Sequence, residues 1–419
     1  MGISTPIKTK KQINQNPKIS FLNTLDIPLI LIVLVLFVFG LVILYSASMP
    51  IAYYSGVDVS PWDYVSRQGL FGLLGLTGAF FLAWIDYRVW KKFMLIALFG
   101  TWAVLFLVLI MGTVRHGATR TFFDGSVQPS ELAKVLIILY LAFWIKGKQE
   151  NLKKLTFWVI PIGFVLGITA VLLVLEPDYS AVLTLVMISS VILFLANLDW
   201  KQIVLIGLFA VLSFFLVIRI STTGSVRWGQ FVSGYQDPQQ ALTQVKRAIE
   251  SVIDGGVFGV GIGQGTVKFT GLEVGQSDTI FTVIAEEMGL IGCVFVLALF
   301  LLLLWRGFKI AVESEDLAGR LIAAGISSWI VLEAFINIGS LFNILPIGGN
   351  TLPFFSLGGS SLVSIMTGIG FILSVGRVNQ IKKLQERSPF SAIVDLRWRD
   401  RRRGVSRSSR PASNGRQLS

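Results

Sequence analysis

The sequence is short of the groups that do most soluble chemistry. Among 419 residues there is one cysteine, Cys293, and one histidine, His116. A lone cysteine forms no intrachain disulfide and no metal cluster, and Cys293 lies in an apolar run where it reads as a small packing residue. A lone histidine leaves a histidine-based metal site or a Ser-His triad unsupported. Charge is scarce too: charged residues make up 14% of the chain, against about 25% in an average soluble domain. With 53% hydrophobic residues and a mean hydropathy of +0.72, that deficit sends much of the chain into lipid. No short N-terminal apolar segment ends in a small-residue cleavage site. The first apolar run is long enough to span, so an uncleaved first helix is expected.

The formal net charge is +12, which by itself would suit nucleic acid. The positive residues gather instead at the two ends, in "KTKKQINQNPK" and "RWRDRRRGVSRSSR". Clusters beside membrane helices fix topology and touch anionic lipid, so membrane lipid is the expected partner and nucleic acid is not.

A spanning helix needs about 20 apolar residues. The runs 27–45, 68–85, 93–112, 130–145, 155–175, 179–196, 202–220, 279–304, 320–345 and 358–376 predict an all-α polytopic membrane protein of about ten spans. Nine spans, or one re-entrant segment, are the alternatives. With ten, the Lys/Arg-bearing ends fall on one side, which the positive-inside rule makes cytoplasmic, both termini included. The expected organisation is a cytoplasmic arm (1–25), a membrane domain (26–376) and a basic, polar tail (377–419) of disordered composition.

The long segment 221–278 then faces outward. Its "ALTQVKRAIESVI" puts Ala241, Leu242, Val245, Ala248, Ile249 and Val252 on one helical face, predicting an amphipathic helix on the membrane surface or against the bundle. The "DGGVFGVGIGQG" that follows lacks the features of a phosphate-binding or dinucleotide loop and reads as a tight turn.

Four clusters carry polar groups that a plain bundle does not need. In "QPSELAK", Pro129 suits the first turn of a helix, and Glu131 and Lys134 share a helix face, either as a packing ion pair or as functional groups. In "LEPDYS", Asp178 suits a helix cap. In "GQSDTIF", Asp278 stands where the loop enters a helix, as a cap or as a reachable, partly desolvated base. "LPIGGNTLPFFSLGGSS" breaks any helix while staying apolar, which is tolerated only against protein or a water-filled cavity. Glu286 and Glu287 lie inside the following apolar run. On a straight helix Glu286 would sit about 12 Å deeper than Asp278, so both read as buried structural acids.

These motifs occur in the order and spacing of the SEDS family of shape, elongation, division and sporulation proteins, which includes FtsW, RodA and SpoVE. "RQGLFGLLGL…IDYR", "GATR…QPSELAK", "EPDYS", "GGVFGVGIGQGTVKF…GQSDTIFTVIAEEMGLIG" and "LPIGGNTLPFFSLGGSSL" carry the resemblance from about Asp26 to Val375. The loop with "GIGQGTVKF" resembles the FtsW and SpoVE branch more than the RodA branch. The resemblance implies a ten-helix glycosyltransferase in the bacterial cytoplasmic membrane, its active site facing outward. It would polymerise lipid II into peptidoglycan strands during division or shape maintenance, release polyprenyl diphosphate, and work with a class B penicillin-binding protein.

Carried over to this chain, the resemblance makes Asp278 the catalytic acid. It assigns Lys134, Glu131, Arg67, Arg120, Gln68 and Ser360 to the substrate and its pyrophosphate. A divalent cation, Mg or Mn, could assist, but no ligand cluster demands one. The chain departs from the family where "GARRW" is "GATRTF", where "QPDLGT" is "EPDYSA", and where the tyrosine of "SYGGSS" is Leu357. Two rival readings remain, a lipid II flippase and a non-catalytic scaffold for the transpeptidase. The acids near one boundary and the absence of an internal repeat favour the enzyme.

Overall fold

The computed structural model describes residues 21–54, 60–115, 118–121, 128–149, 155–197, 222–270, 277–346 and 349–386, with isolated helical positions at 204, 207, 208 and 215. Residues 26–379 belong to one compact unit; the described parts of the other, 21–25 and 380–386, are short helical pieces. Eleven described helices carry the fold: α1 Ile27–Tyr54, α2 Pro61–Trp84, α3 Met94–Met111, α4 Pro129–Gly147, α5 Leu155–Leu175, α6 Tyr179–Leu195, α7 Thr222–Gln236, α8 Thr243–Gly255, α9 Ile280–Val312, α10 Leu317–Leu341 and α11 Gly359–Glu386. Six stretches are long and apolar enough to cross a membrane: Ile27–Pro50, Pro61–Trp84, Tyr87–Met111, Ile280–Val312, Leu317–Leu341 and Gly359–Glu386. Pro161–Leu175 and Tyr179–Leu195 are apolar but shorter. The expected span at 202–220 lies, apart from its isolated positions, outside the described residues.

Local chemistry sets the helix starts. Ser60 and Asp63 form a reciprocal capping box, with Pro61 in the first turn, so α2 begins seven residues earlier than the hydropathy pattern indicates. Pro129 opens α4 as expected. The Asp178 carboxylate accepts the Ala181 N–H and caps α6. A departure from the all-helical expectation is a small antiparallel hairpin, β1 Thr113–Arg115 against β2 Ala118–Thr121.

The core is built around α10, which packs on α9, α4 and α6. Its Leu321, Ile322, Ile326, Trp329 and Ile330 are fully buried. By contrast α3 exposes Leu95, Ile96, Phe99 and Ile110, and α9 exposes Leu290, Ile291 and Val294. Apolar faces of that extent suit lipid, where helices and closed barrels are the viable spanning structures.

The long loop does more than turn. Helix α9 breaks at Gly289, which adopts φ +62°. The break frees the Glu286 and Glu287 carbonyls and the Leu290 and Ile291 N–H groups. The glycine-rich stretch satisfies all four: Val260 N–H donates to Glu286 O and Gly261 N–H to Glu287 O, while Leu290 and Ile291 N–H donate to Gly256 O and Val257 O. The fit requires bare backbones. A Cβ on Gly259 would lie 2.2 Å from Glu287 O, and one on Gly289 would lie 2.4 Å from Gly259 N. Gly289→Ala combines that overlap with a left-handed φ, so it should cost about 2 kcal/mol or more, seen as a lowered thermal midpoint in micelles. The amphipathic helix exists as α8, but its apolar face divides. Val245 and Ala248 are buried, whereas Ile249 and Val252 are 39% and 41% exposed, because α9 covers only one side of so wide a face.

At the opposite end of α9, Arg306 grips Asp26 through two 2.8 Å hydrogen bonds. Nearby Asp316 accepts from Lys146 Nζ at 2.6 Å and from the Tyr87 hydroxyl at 2.7 Å, with Arg88 at 3.6 Å. Burial pushes the Asp316 carboxyl up, but the hydrogen bonds from Lys146 and Tyr87 and the nearby cations outweigh it and hold the group below the usual carboxylate range. A depressed folded value means the contribution is present above the unfolded value of about 3.9 and fades as pH falls through the folded one. Asp316→Asn should therefore destabilise the fold at pH 7 by about 1 kcal/mol or less with such exposed partners, seen as a lowered thermal midpoint. The gap from the unsubstituted protein should close as the buffer is acidified towards pH 3.

Candidate functional site

The geometry around Asp278 is set by side-chain bonds to backbone. Residues 277–279 form a turn before α9, whose N-cap is Thr279 and not Asp278. Helical arithmetic therefore starts at Ile280, two residues later than a continuous helix through Asp278 assumes. Asp278 is half-buried, and its Oδ1 accepts the Ser277 hydroxyl at 2.8 Å. Its carbonyl accepts Asn337 Nδ2 at 2.8 Å, and the same amide donates to Asn350 O at 2.6 Å. The Ser356 hydroxyl donates to Ser277 O at 2.6 Å and accepts Leu352 N–H at 2.7 Å.

The helix-breaking stretch thus forms one wall against the Asp278 turn. Gly349 passes so near that a Cβ there would lie 3.3 Å from Asp278 Oδ2. Gln68 is buried and stitches α2 to the same stretch: Nε2 donates to Ser356 O at 3.0 Å and Oε1 accepts Gly358 N–H at 3.3 Å. Ser360, at the start of α11, accepts Gln128 N–H at 3.0 Å and ties the wall to α4. Arg67 is exposed on α2 beside Gln68. Arg120 stands on β2, its side chain outside the described residues.

Behind this wall lies a buried cluster. Lys134 Nζ contacts Glu131 at 2.9 Å and also contacts Glu333. Relative exposures are 2% for Lys134, 8% for Glu131 and 3% for Glu333. The Lys134 ammonium also lies 5.6 Å from the Trp329 ring centre. Glu333 is a residue that the reading of the sequence missed. Its signal was present, an acid inside the apolar "WIVLEAFINIG", where an ionisable group needs a partner. Asn337 follows Glu333 by four residues, on the same face of α10. One helix face therefore holds Lys134 through Glu333 and the Asp278 turn through Asn337. Beside the cluster, Asp178 accepts from Gln128 Nε2 at 3.0 Å, Ser130 Oγ at 3.0 Å and Ser180 Oγ at 3.1 Å, pinning α4 to the α5–α6 turn.

Glu286 and Glu287 are buried and point to different partners. The Glu286 carboxylate accepts Thr266 N–H at 2.6 Å and Val267 N–H at 3.1 Å, holding the far end of the glycine-rich stretch. Glu287 pairs with Lys268 at 2.6 Å and accepts the Ser46 hydroxyl at 2.5 Å, with both charged side chains fully buried. Lys268, also unforeseen, thereby joins the loop to α1 and α9. Among the described residues no group of three or more His, Cys, Asp or Glu is placed to hold a metal ion.

Fold and site together define a polytopic helical membrane protein with an acid-bearing turn braced at one end of its bundle. The chain belongs to the FtsW/RodA/SpoVE family: the family model described as "Cell cycle protein" matches residues 27–381. It is 34% identical over 354 residues to a probable peptidoglycan glycosyltransferase FtsW of Geobacter sp. (strain M18), covering 84% of this chain and 96% of that one. It is 33% identical to stage V sporulation protein E of Bacillus subtilis (strain 168), covering 85% and 98%. The crystal structure of the Thermus thermophilus rod shape determining protein RodA superposes with a TM-score of 0.63 at 26% identity, covering 85% and 97%. A chain from a peptidoglycan synthase complex superposes with a TM-score of 0.67 at 26% identity, covering 85% and 98%. The FtsW and SpoVE relatives accord with the lean that the loop motif suggested.

Proposed function

We propose that this chain is a peptidoglycan glycosyltransferase that polymerises lipid II, with Asp278 as its general base. The observation that carries the reading is the bracing of one half-buried carboxylate by the Asn337 and Ser356 bonds to its turn. The acceptor is a sugar hydroxyl, which needs a base as it attacks. A rigid turn keeps that base in line without reorganisation during the reaction. Arg67 and Arg120 offset charge on the leaving pyrophosphate. Lys134, buried and paired with Glu131, supports the wall from inside without adding net charge. Gln68 and Ser360 keep the wall in shape. The lipid tail lies in an apolar groove between helices.

In this reading the bundle has ten spans with both termini cytoplasmic, and the Asp278 end faces outward in the bacterial cytoplasmic membrane. A divalent cation at the pyrophosphate is compatible with it, as is a class B penicillin-binding protein as partner. The test uses the purified chain in micelles and in sealed vesicles. Glycan strands made from lipid II without added partner support the enzyme. Translocation of lipid II without polymer supports the flippase and overturns the proposal.

A further inference from the structure

Glu131 and Glu333 both meet Lys134, and all three residues are at least nine-tenths buried. Among the described residues, the second carboxyl oxygen of each acid, Oε2, is buried without a hydrogen-bond partner. Two carboxylates and one ammonium leave a net negative charge in a setting where an uncompensated ion costs several kcal/mol. Two carboxylates sharing a site do not ionise together cheaply, and the proton belongs to the pair.

Among the described side chains, the surrounding elements offer no further cation to the cluster. Helices α3, α5 and α6 contain no Asp, Glu, Lys, Arg or His. On α4 the next charge is Lys146, about 18 Å further along and paired with Asp316. On α10 it is Arg320, about 20 Å away and donating to Ser314 O. On α11 the first is Arg377, bonded to the carbonyls at the end of α2. Glu286 on α9 is spent on the loop, and Glu287 on Lys268. On α8, Arg247 pairs with Glu250, and Lys246 and Asp254 complete its charges. Glu176 and Asp178, on the turn before α6, are acids and bring no cation. Arg120 is a cation on β2, which packs against α4.

We propose that the Glu131–Lys134–Glu333 cluster is a proton-binding site, holding one proton shared between the two carboxyl groups so that the buried trio is neutral. Lys134 then keeps one anionic partner, Glu131 or Glu333, at a time, and the other carboxyl group, protonated, only hydrogen-bonds.

Infrared spectra of the purified protein at pH 7 test this through the carboxylic-acid carbonyl band. Glu333→Gln and Glu131→Gln should each remove one acid equivalent from that band. The double variant should remove no more than one. Lys134→Met should add one, because both acids then protonate. If the single variants remove only carboxylate absorption, both acids are ionised and the proposal falls. A second measurement needs only the near-isosteric Glu333→Gln. A proton held by the folded state and not by the unfolded one stabilises at low pH and is lost as pH rises. The wild-type thermal midpoint should therefore fall relative to that of Glu333→Gln as pH rises from about 4.3, the unfolded carboxyl value, through pH 7. Parallel profiles would overturn the proposal.

Discussion

Asp278→Asn should lower lipid II polymerisation by the purified protein by about 10²–10⁴-fold, the range general-base catalysis supplies. Asparagine keeps the shape of the side chain, and its amide oxygen can still accept the Ser277 hydroxyl. It cannot take a proton from an attacking sugar hydroxyl. The bonds that brace the turn go to backbone carbonyls, from Asn337 to Asp278 O and from Ser356 to Ser277 O, so they survive the substitution. The thermal midpoint should therefore move little while turnover collapses, and lipid II should still bind. An Asp278→Asn protein that folds and polymerises within a few-fold of wild type would remove Asp278 from the role of base. Asn337→Ala offers the complementary case. It withdraws the amide that spans Asp278 O and Asn350 O, leaving the carboxylate present but its turn loose. Turnover should fall by less than for Asp278→Asn.

The largest effect on stability should come from Lys268→Met. The Lys268 ammonium bonds Glu287 at 2.6 Å, Ser46 at 2.8 Å and Gly263 O at 3.1 Å, and neither member of the ion pair is exposed. Removing the lysine leaves the Glu287 carboxylate buried with the Ser46 hydroxyl, a loss of about 3–5 kcal/mol for breaking a buried pair. Losing both partners together is a different matter, because buried ion pairs replaced by apolar groups of similar volume are often neutral in stability. Lys268→Met/Glu287→Met should therefore recover much of the lost thermal midpoint. Additive losses in the double variant would mean that the pair is not coupled in the folded state.

How legible this was differs by level. Helix positions were close to the hydropathy pattern, as in α10 at Leu317–Leu341 against an expected 320–345, because crossing lipid imposes length and apolarity on local sequence. Starts were less legible where a polar cap extends a helix beyond its apolar run, as Ser60 and Asp63 do for α2. Asp278 could be singled out because a carboxylate at the mouth of an apolar run is costly and so conspicuous. Its bracing by Asn337 and Ser356 could not, since those bonds span 59 and 79 positions of chain.

Composition, hydropathy and motif order thus determined by themselves that this chain is a helical membrane protein, because the solvent for each segment is written in that segment alone. Which acid meets which cation was decided only by the tertiary structure. Lys134 finds Glu333 across 199 positions, Lys268 finds Glu287 through a loop that fills the break at Gly289, and Glu286 turns to that loop's backbone. In a medium that punishes every unpaired charge, such pairings are settled by packing, where distant helices bring their few polar groups within bonding distance.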